Sequence, residues 1–530
     1  MTILVTGIVL ILALLAIKIS NQYGIPSLVL FILLGISFTL IGVDFNDYPF
    51  SEKFASLALM FIMFYGGYGT KWQMAKPVAL PSVILASGGV VLTALITGVF
   101  CHFVLGFDLI QAMLLGSIVG STDFATVSSV LKSKKLNLKY STAPLLEMES
   151  GSNDPFAYTM TMIFLAILSG SKVNIAMLVI LQITVGILIG YIGGRIFFIL
   201  LEKIDFSEDG MLSVFMIAAI LLIYQISAML GGNGFLAVYL FGIYIGNKEY
   251  KGKRQTVFFF DGISNIMQIA LFFMLGLLSE PSKIISNLAP AFFIMLFMTL
   301  IARPIVILLV SFFYKMKLNQ VITVTISGIR GAAAIAFAIM AVNQNIPFEI
   351  DIFHIVFGIC ILSTLIQGSL MASVSKKVDM IDPNDSVLKT FNSYQDKSEI
   401  AFIETSIKYN CNLNGKTLAE ISPIFDIIVA KLIRNGKQIV PKGDTVVQPG
   451  DRIIIGGKEY FDSSGKDLLE ITLYDNHPWT NKKVIDIDLH HRTLIVMLLD
   501  NKNNVVIPTG QTVLKSGDKL VLYSLNDENS

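Results

Sequence analysis

Two aspartates stand in stretches otherwise apolar enough to cross a bilayer. Asp154 lies in Glu149-Ser-Gly-Ser-Asn-Asp-Pro155, and Asp123 lies in Gly116-Ser-Ile-Val-Gly-Ser-Thr-Asp-Phe124. A charged side chain at the centre of a transmembrane helix costs roughly 2.5–3.5 kcal/mol on insertion scales, so such residues are rare and tend to line ion or proton paths. A carboxylate can take one proton or one cation, and the two exclude each other. An acid held at membrane depth is therefore suited to exchanging one for the other.

The residues around each acid extend this chemistry. Gly, Ser and Thr before Asp123 weaken the helix, and unwound backbone at membrane depth is tolerated where it is buried in protein or lines a cavity. There Thr122 and Asp123 offer hydroxyl, carbonyl and carboxylate oxygens to a hard monovalent ion. A second interruption is expected at Ser327-Gly-Ile-Arg-Gly331. Its Arg330 either fixes the negative end of a broken helix or pairs with an acid. Glu147 and Glu149 are two apart and cannot share a helix face, so Glu149, five residues before Asp154, is the candidate. Arg303-Pro304 reads as a helix-end or kink feature, and the clusters Lys132–Lys139 and Lys248–Arg254 as topological charges. One buried acid alone is often a satisfied packing residue. Two on consecutive spans, with an arginine in another break, argue against that here.

The elements that carry these groups follow from composition. The 530 residues are 54% hydrophobic and 15% charged with a mean hydropathy of +0.71, the profile of a polytopic membrane protein. Residues 1–380 hold 22 Lys/Arg against 18 Asp/Glu, and residues 381–530 hold 17 against 20. Neither part is basic enough to suggest nucleic acid. Cys101, Cys360 and Cys411 show no disulfide or metal spacing, and the five histidines form no zinc pattern. The run Ile3–Ile17 lacks a basic n-region and a small-residue cleavage site, so it reads as the first membrane helix.

Apolar runs of about 18–25 residues, split at charged or turn-rich gaps, give thirteen spans. They fall near 2–17, 25–43, 54–70, 78–105, 109–131, 142–169, 173–200, 210–230, 234–247, 256–279, 284–313, 320–342 and 351–374. The gap Gly231-Gly-Asn-Gly234 before the short ninth span is equally readable as a break within one longer helix. With the C-terminus inside, alternate loops hold seventeen Lys/Arg against three. That asymmetry supports the count and an extracytoplasmic N-terminus.

Residues 381–397 form a polar linker. Beyond it, Asn414-Gly-Lys-Thr-Leu418 recurs as Asn481-Lys-Lys-Val-Ile485, Pro441-Lys-Gly-Asp-Thr-Val446 as Pro508-Thr-Gly-Gln-Thr-Val513, and Gly450-Asp-Arg452 as Gly517-Asp-Lys519. The common spacing of 67 residues marks a tandem repeat, with modules at 398–462 and 466–530. A Gly-Asp turn before Ile453–Ile455 or Leu520–Leu522, and earlier strand-like runs at Ile427–Val429 or Leu494–Val496, make each copy a small α+β module. No G-x-G-x-x-G follows a strand, so a Rossmann domain is not indicated.

Ser121-Thr-Asp123, Glu147-Met-Glu-Ser-Gly-Ser-Asn-Asp-Pro155, Gly231-Gly-Asn-Gly-Phe-Leu-Ala-Val-Tyr-Leu240, Asp261-Gly262 with Gln268, Ala302-Arg-Pro304 and Gly328-Ile-Arg-Gly331 together resemble monovalent cation/proton antiporters. The nearest branch is the NhaP-like potassium/proton antiporters, over nearly all of residues 1–375. The tail modules resemble the TrkA C-terminal domain. The resemblance implies an all-α membrane domain over 1–380 with about thirteen helices, inverted repeats and two interrupted crossing helices. It also implies a homodimer working by elevator-like alternating access. Asp154, Asp123, Thr122 (through its carbonyl) and Ser150 would approach the ion, Asn153 and Glu149 would support them, and Arg330 would stabilise the crossing. Phe124 departs from the small residue or proline expected after Thr-Asp.

No cofactor is implied beyond the transported K⁺ or Na⁺ and H⁺, and the expected location is the cell membrane with the C-terminus cytoplasmic. Oxygen ligands suit either cation, so a preference for potassium rests on the resemblance. Asn153, where a second aspartate would carry another exchangeable charge, suggests electroneutral exchange. The tail suggests a dimerisation module or a sensor, with cyclic di-AMP as candidate ligand and Asp488 and His490 as partial matches to its binding loop. An uncoupled, ligand-gated cation channel is the alternative function. An intramembrane aspartyl protease is disfavoured because Tyr-Asp and Gly-x-Gly-Asp patterns are missing.

Overall fold

The computed structural model describes residues 2–23, 26–43, 45–123, 126–128, 131, 137–204, 210–344 and 346–382. In the tail it describes 400–407, 414–420, 428–458, 468–475, 477–487, 493–500, 505–506 and 508–524. The chain divides into two compact units, Met1–Asp396 and Lys397–Ser530. Asp488, His490 and Phe124 lie outside the described residues, as does most of the expected linker.

The first unit is helical among the described residues. Its helices are α1 Thr2–Tyr23, α2 Ser27–Leu40, α3 Tyr48–Gly69, α4 Lys76–Leu105, α5 Leu109–Ile118, α6 Thr142–Leu168, α7 Ile175–Lys203 and α8 Met211–Met229. They continue with α9 Gly234–Gly246, α10 Lys253–Leu278, α11 Pro281–Tyr314, α12 Leu318–Ile326, α13 Ala332–Asn343 and α14 Ile352–Lys377. By length and composition α4, α7, α8, α10, α11 and α14 each suffice to cross a membrane.

The two expected interruptions are present. Helix α5 ends at Ile118, ahead of non-helical residues Ser121–Asp123, and the segment between α12 and α13 is non-helical at Gly328–Gly331. Two departures from regular helix were not foreseen. Helix α4 is π-helical over Leu85–Gly89 and α11 over Met298–Ala302. Such bulges recur at functional sites, and the second ends two residues before Pro304, whose missing N–H already weakens the ladder there.

The ninth span is a separate helix. Gly231 adopts φ 77°, and Asn233 caps α9 by accepting from Leu236 N at 3.0 Å. A short helix can be buried here because small residues let backbones approach closely. A Cβ on Gly67 of α3 would sit 2.2 Å from the Tyr239 carbonyl oxygen, and one on Gly246 would sit 2.1 Å from that of Tyr68.

The tail holds two four-stranded antiparallel sheets. The first, ordered β1-β4-β2-β3, uses β1 Ile400–Ser406, β2 Ile428–Arg434, β3 Lys437–Ile439 and β4 Arg452–Lys458. The second, ordered β5-β8-β6-β7, uses β5 Leu468–Thr472, β6 Thr493–Leu499, β7 Val505–Val506 and β8 Lys519–Ser524. Both carry a bulge at the same place, Val429/Lys431 and Ile495/Met497.

The ungapped spacing of 67 needs correction. Leu418 N bonds Thr445 O and Val484 N bonds Thr512 O, so Leu418 matches Val484 at an offset of 66 while Thr445 matches Thr512 at 67. Gly415 and Asn481, both at positive φ, confirm the smaller offset. The β6–β7 connection is therefore one residue longer than the Asn435-Gly436 turn of the first module, and strand pairing fixes the register across that insertion.

The extra residue also puts Asp500 where the first module has Arg434. Arg434 grips buried Asp451 through Nε and Nη2 at 2.8 and 2.7 Å. The Arg434 guanidinium holds the Asp451 carboxyl below the ordinary carboxylate range, helped by the Gln448 N–H. The stability this pair contributes is present above the unfolded carboxylate value and is lost as pH falls through the lower folded value. Acidification below about pH 4 should therefore open β2 and β4. Arg434→Ala should open them already at neutral pH, read as faster amide exchange over 428–458.

Candidate ion-binding site

The two non-helical segments meet. Asp123 N donates to Ile329 O at 2.7 Å, so the interruption after α5 and the one before α13 satisfy each other's backbone, as irregular chain at membrane depth requires. Arg330 then closes the negative end of α5. Its Nη1 donates to Gly120 O and Ser121 O, both at 2.8 Å. The first of the two roles open to Arg330 is the one realised, and the helix dipole makes it favourable.

Asp123 sits at the start of α13, where the dipole favours an anion. Its Oδ2 accepts from Thr126 Oγ1 at 2.5 Å. Gly331 makes room for it, because a Cβ there would lie 2.4–2.5 Å from Asp123 Cβ, Cγ and Oδ2. Gly331→Ala should displace Asp123 and reduce exchange on the order of a hundredfold, since ångström-scale misplacement of a working group has effects of that size. Initial rates in proteoliposomes, at equal protein incorporation, test this.

Helix α6 supplies the other half. Ser150 hydroxyl donates to Thr122 O, and Asn153 Nδ2 donates to Thr122 Oγ1 at 2.5 Å. The Thr122 carbonyl expected to face the ion is thus engaged by Ser150. Asp154 follows one turn after Ser150, with Ser121 as a hydrogen-bonding neighbour and Asp123 within electrostatic reach. Asp154 Oδ1 and Asn153 Oδ1 are both buried, and neither has a hydrogen-bond partner among the described residues. Two carboxylates, a hydroxyl pair and an amide oxygen form an all-oxygen cluster, the donor type that suits a hard cation. The described residues contain no group of three His, Cys, Asp or Glu able to hold a metal ion.

Glu149 does not face this cluster. Its carboxylate takes both arms of Arg303, at 2.5 and 3.0 Å, and the two side chains are 1% and 5% exposed. Arg303, expected to be a kink feature, is the buried partner of a membrane acid, and Gly328 lets the second interruption pass it: a Cβ there would lie 2.9 Å from Arg303 Nε. The rule that marked Asp154 would have found it, because an arginine in an apolar run also demands a partner. Sequence reasoning likewise missed Asn233, whose Nδ2 donates to Pro155 O at 2.8 Å and ties α9 to α6 beside Asp154.

Charged residues brought together where two broken helices cross define an ion-transporting membrane protein. Comparison with known proteins is specific: the model of the sodium/hydrogen exchanger transmembrane family matches residues 8–377, and that of the TrkA-C domain matches 402–459 and 468–527. The chain belongs to the sodium/hydrogen exchanger family. A K(+)/H(+) antiporter NhaP from Alkalimonas amylolytica is 29% identical over 464 residues, covering 86% of this chain and 81% of that protein. A K(+)/H(+) antiporter NhaP2 from Shewanella sp. (strain ANA-3) is 30% identical over 455 residues, covering 83% and 78%. The solved structure of the sodium proton antiporter MjNhaP1 from Methanocaldococcus jannaschii at pH 8 superposes with a TM-score of 0.63 at 24% identity, over 70% of this chain and 97% of that one. The protein is a cation/proton antiporter, a transporter and not an enzyme, with two TrkA-C domains in its tail.

Proposed function

We propose that the protein exchanges one potassium ion for one proton, electroneutrally, by competition at Asp154, and that sodium is a weaker substrate. The single observation that carries this is the pair of unpartnered oxygens, Asp154 Oδ1 and Asn153 Oδ1, at the helix crossing. Asp154 neutral with a proton and Asp154 neutral with a cation are the two loaded states, so coupling needs no separate device. Ser150, Thr122 and Asp123 complete the ion's shell, Asn153 adds an oxygen without a second exchangeable charge, and Glu149 and Arg330 hold the frame. The preference for potassium follows the names of the relatives.

The membrane domain has thirteen passes in two inverted repeats, with the N-terminus extracytoplasmic, the C-terminus cytoplasmic and the cell membrane as location. Support comes from the seventeen-to-three loop charge asymmetry. It also comes from the order shared by both halves: a π-bulged helix (α4, α11), an interrupted one (α5, α12–α13) and an unbroken one (α6, α14). It works as a homodimer by elevator-like movement of the crossing helices. The tail, with modules at 398–462 and 466–530 after the 381–397 linker, regulates transport, and cyclic di-AMP is its candidate ligand near Asp488 and His490.

The deciding experiment is pH-jump exchange in proteoliposomes with K⁺, Na⁺, Rb⁺ and Li⁺ in turn, recorded with a voltage-sensitive dye. Exchange strongest with K⁺ and no potential generated by transport is expected. A potential arising from antiport refutes electroneutrality, and cation flux without proton counterflow establishes the channel alternative. Calorimetry on the full chain with cyclic di-AMP that shows no heat removes that ligand, and unchanged transport after deletion of 385–530 assigns the tail no part in the exchange step.

A further inference from the structure

One half-buried carboxylate in the first unit stands outside the exchange site and yet faces the route to it. Glu52 lies in the second turn of α3, and Asn343, the last residue of α13, donates from Nδ2 to its carboxylate. Helix α13 begins beside Asp123 and runs twelve residues, so Asn343 is about 18 Å along the axis from the crossing. The start of α3 and the end of α13 therefore share one mouth, at the other end of the bundle from Lys139 and Met380, which pair just before α6 and just after α14.

Between this mouth and Asp154 lies an aromatic layer. Tyr158 stands four residues after Asp154 on the same face of α6, one turn, about 6 Å, toward the mouth. Its ring meets Phe235 of α9 edge-on at 5.2 Å and Phe337 of α13 at 5.8 Å. Tyr224 of α8 closes on Phe235 at 5.1 Å. Both tyrosines lie within electrostatic reach of Glu52. One turn before Glu52, Tyr48 lies near Glu280, Asp351 and Lys283, and Asp47 caps the start of α3 at the same end. Lys283 is engaged by Glu280 at 2.7 Å.

We infer that Glu52 is the outer staging carboxylate of the transport path. With the Asn343 carboxamide it holds a monovalent cation outside a gate formed by Tyr158, Tyr224, Phe235 and Phe337. The gate is built from two sets of helices. Tyr158, Phe337 and Asn343 belong to α6 and α13, which carry the ion site, whereas Glu52, Tyr224 and Phe235 belong to α3, α8 and α9. Sliding one set past the other breaks the Glu52–Asn343 bond and parts the rings together, so the cation is released from Glu52 as the route to Asp154 opens. Glu52 acts as a positioning residue: it gathers the ion electrostatically and takes no part in the competition at Asp154. This role rests on antiport at Asp154.

The test uses the full-length protein in right-side-out and everted membrane vesicles, with half-saturating K⁺ measured separately on each face. Glu52→Gln keeps a hydrogen bond to Asn343 but removes the charge. It is expected to raise half-saturating K⁺ about tenfold on the extracytoplasmic face, the size of one charge acting over about 10 Å in a medium of intermediate dielectric. The cytoplasmic value and the maximal rate should stay within about twofold, the defect should shrink as ionic strength rises, and Glu52→Asp should recover most of the affinity. No change, an equal change on both faces, a change on the cytoplasmic face alone, or a fall in maximal rate alone would overturn the role. Asp154→Asn is run in parallel. Exchange surviving in that variant removes the competition site itself, while the two-faced comparison of Glu52→Gln still decides whether Glu52 gathers the cation.

Discussion

Replacing Asp154 with asparagine is expected to lower pH-gradient-driven cation exchange to the level of protein-free liposomes. The amide keeps the volume and one acceptor oxygen but binds no proton at working pH and brings no charge to offset the dehydration of a cation. Both loaded states are lost together, so the defect should appear in the maximal rate with every alkali cation tested. The fold should survive, because Asp154 is an acid whose Oδ1 has no hydrogen-bond partner to lose among the described residues. An asparagine at a desolvated position is also less costly than a carboxylate, so thermal stability in detergent should hold or rise. Normal exchange in this variant, at wild-type amounts in the membrane, would dismiss Asp154 as the shared seat.

The second large effect concerns stability. Arg303→Ala leaves the Glu149 carboxylate buried without its cation, a change that costs about 3–5 kcal/mol when one member of a buried pair is removed. The thermal midpoint of the detergent-solubilised protein should fall sharply. Glu149→Gln combined with Arg303→Met removes both charges while keeping volume, and such apolar or neutral replacements of buried pairs are often near neutral. The double variant should therefore sit much closer to wild type than Arg303→Ala, a coupling that a double-mutant cycle measures directly. Equal midpoints for single and double variants would mean the pair is not energetically coupled. The consequence for transport follows from place: Glu149 is five residues before Asp154 on α6, and Arg303 stands next to the π-helical stretch of α11. The ion pair locks these two helices around the crossing, so its loss should also slow exchange.

The helical architecture was largely legible in one dimension. Apolar runs of membrane length announce their helices because no other solvent tolerates them, and Gly-Ser-Thr and Gly-Ile-Arg-Gly announced the two interruptions because they weaken a helix where its neighbours must compensate. What such patterns miss is any compensation that comes from far away. Arg303 was misjudged from its neighbour Pro304, since the partner that explains it, Glu149, is 154 residues distant. The Thr122 carbonyl, expected at the ion, is also held by Ser150 of another helix, 28 residues away. In the tail, identity at a spacing of 67 disguised a shift to 66, since short motifs align by chance over one residue whereas antiparallel pairing cannot slip without turning every side chain to the other face.

The sequence by itself determined that this chain lives in a membrane, that it carries acids there, and that two of its helices must break. Those facts are local: hydropathy, charge and glycine content act on the segment that contains them. Only the tertiary structure decided what each polar group does with its neighbours. It brings Asp123 to the start of α13, sets Arg330 on the carbonyls after α5, commits Glu149 to Arg303, and leaves Asp154 and Asn153 with unpartnered oxygens at the crossing. The reason is that burial makes an unpartnered polar atom costly, and which partner is in reach depends on how helices pack, a property of the whole fold that no single segment contains.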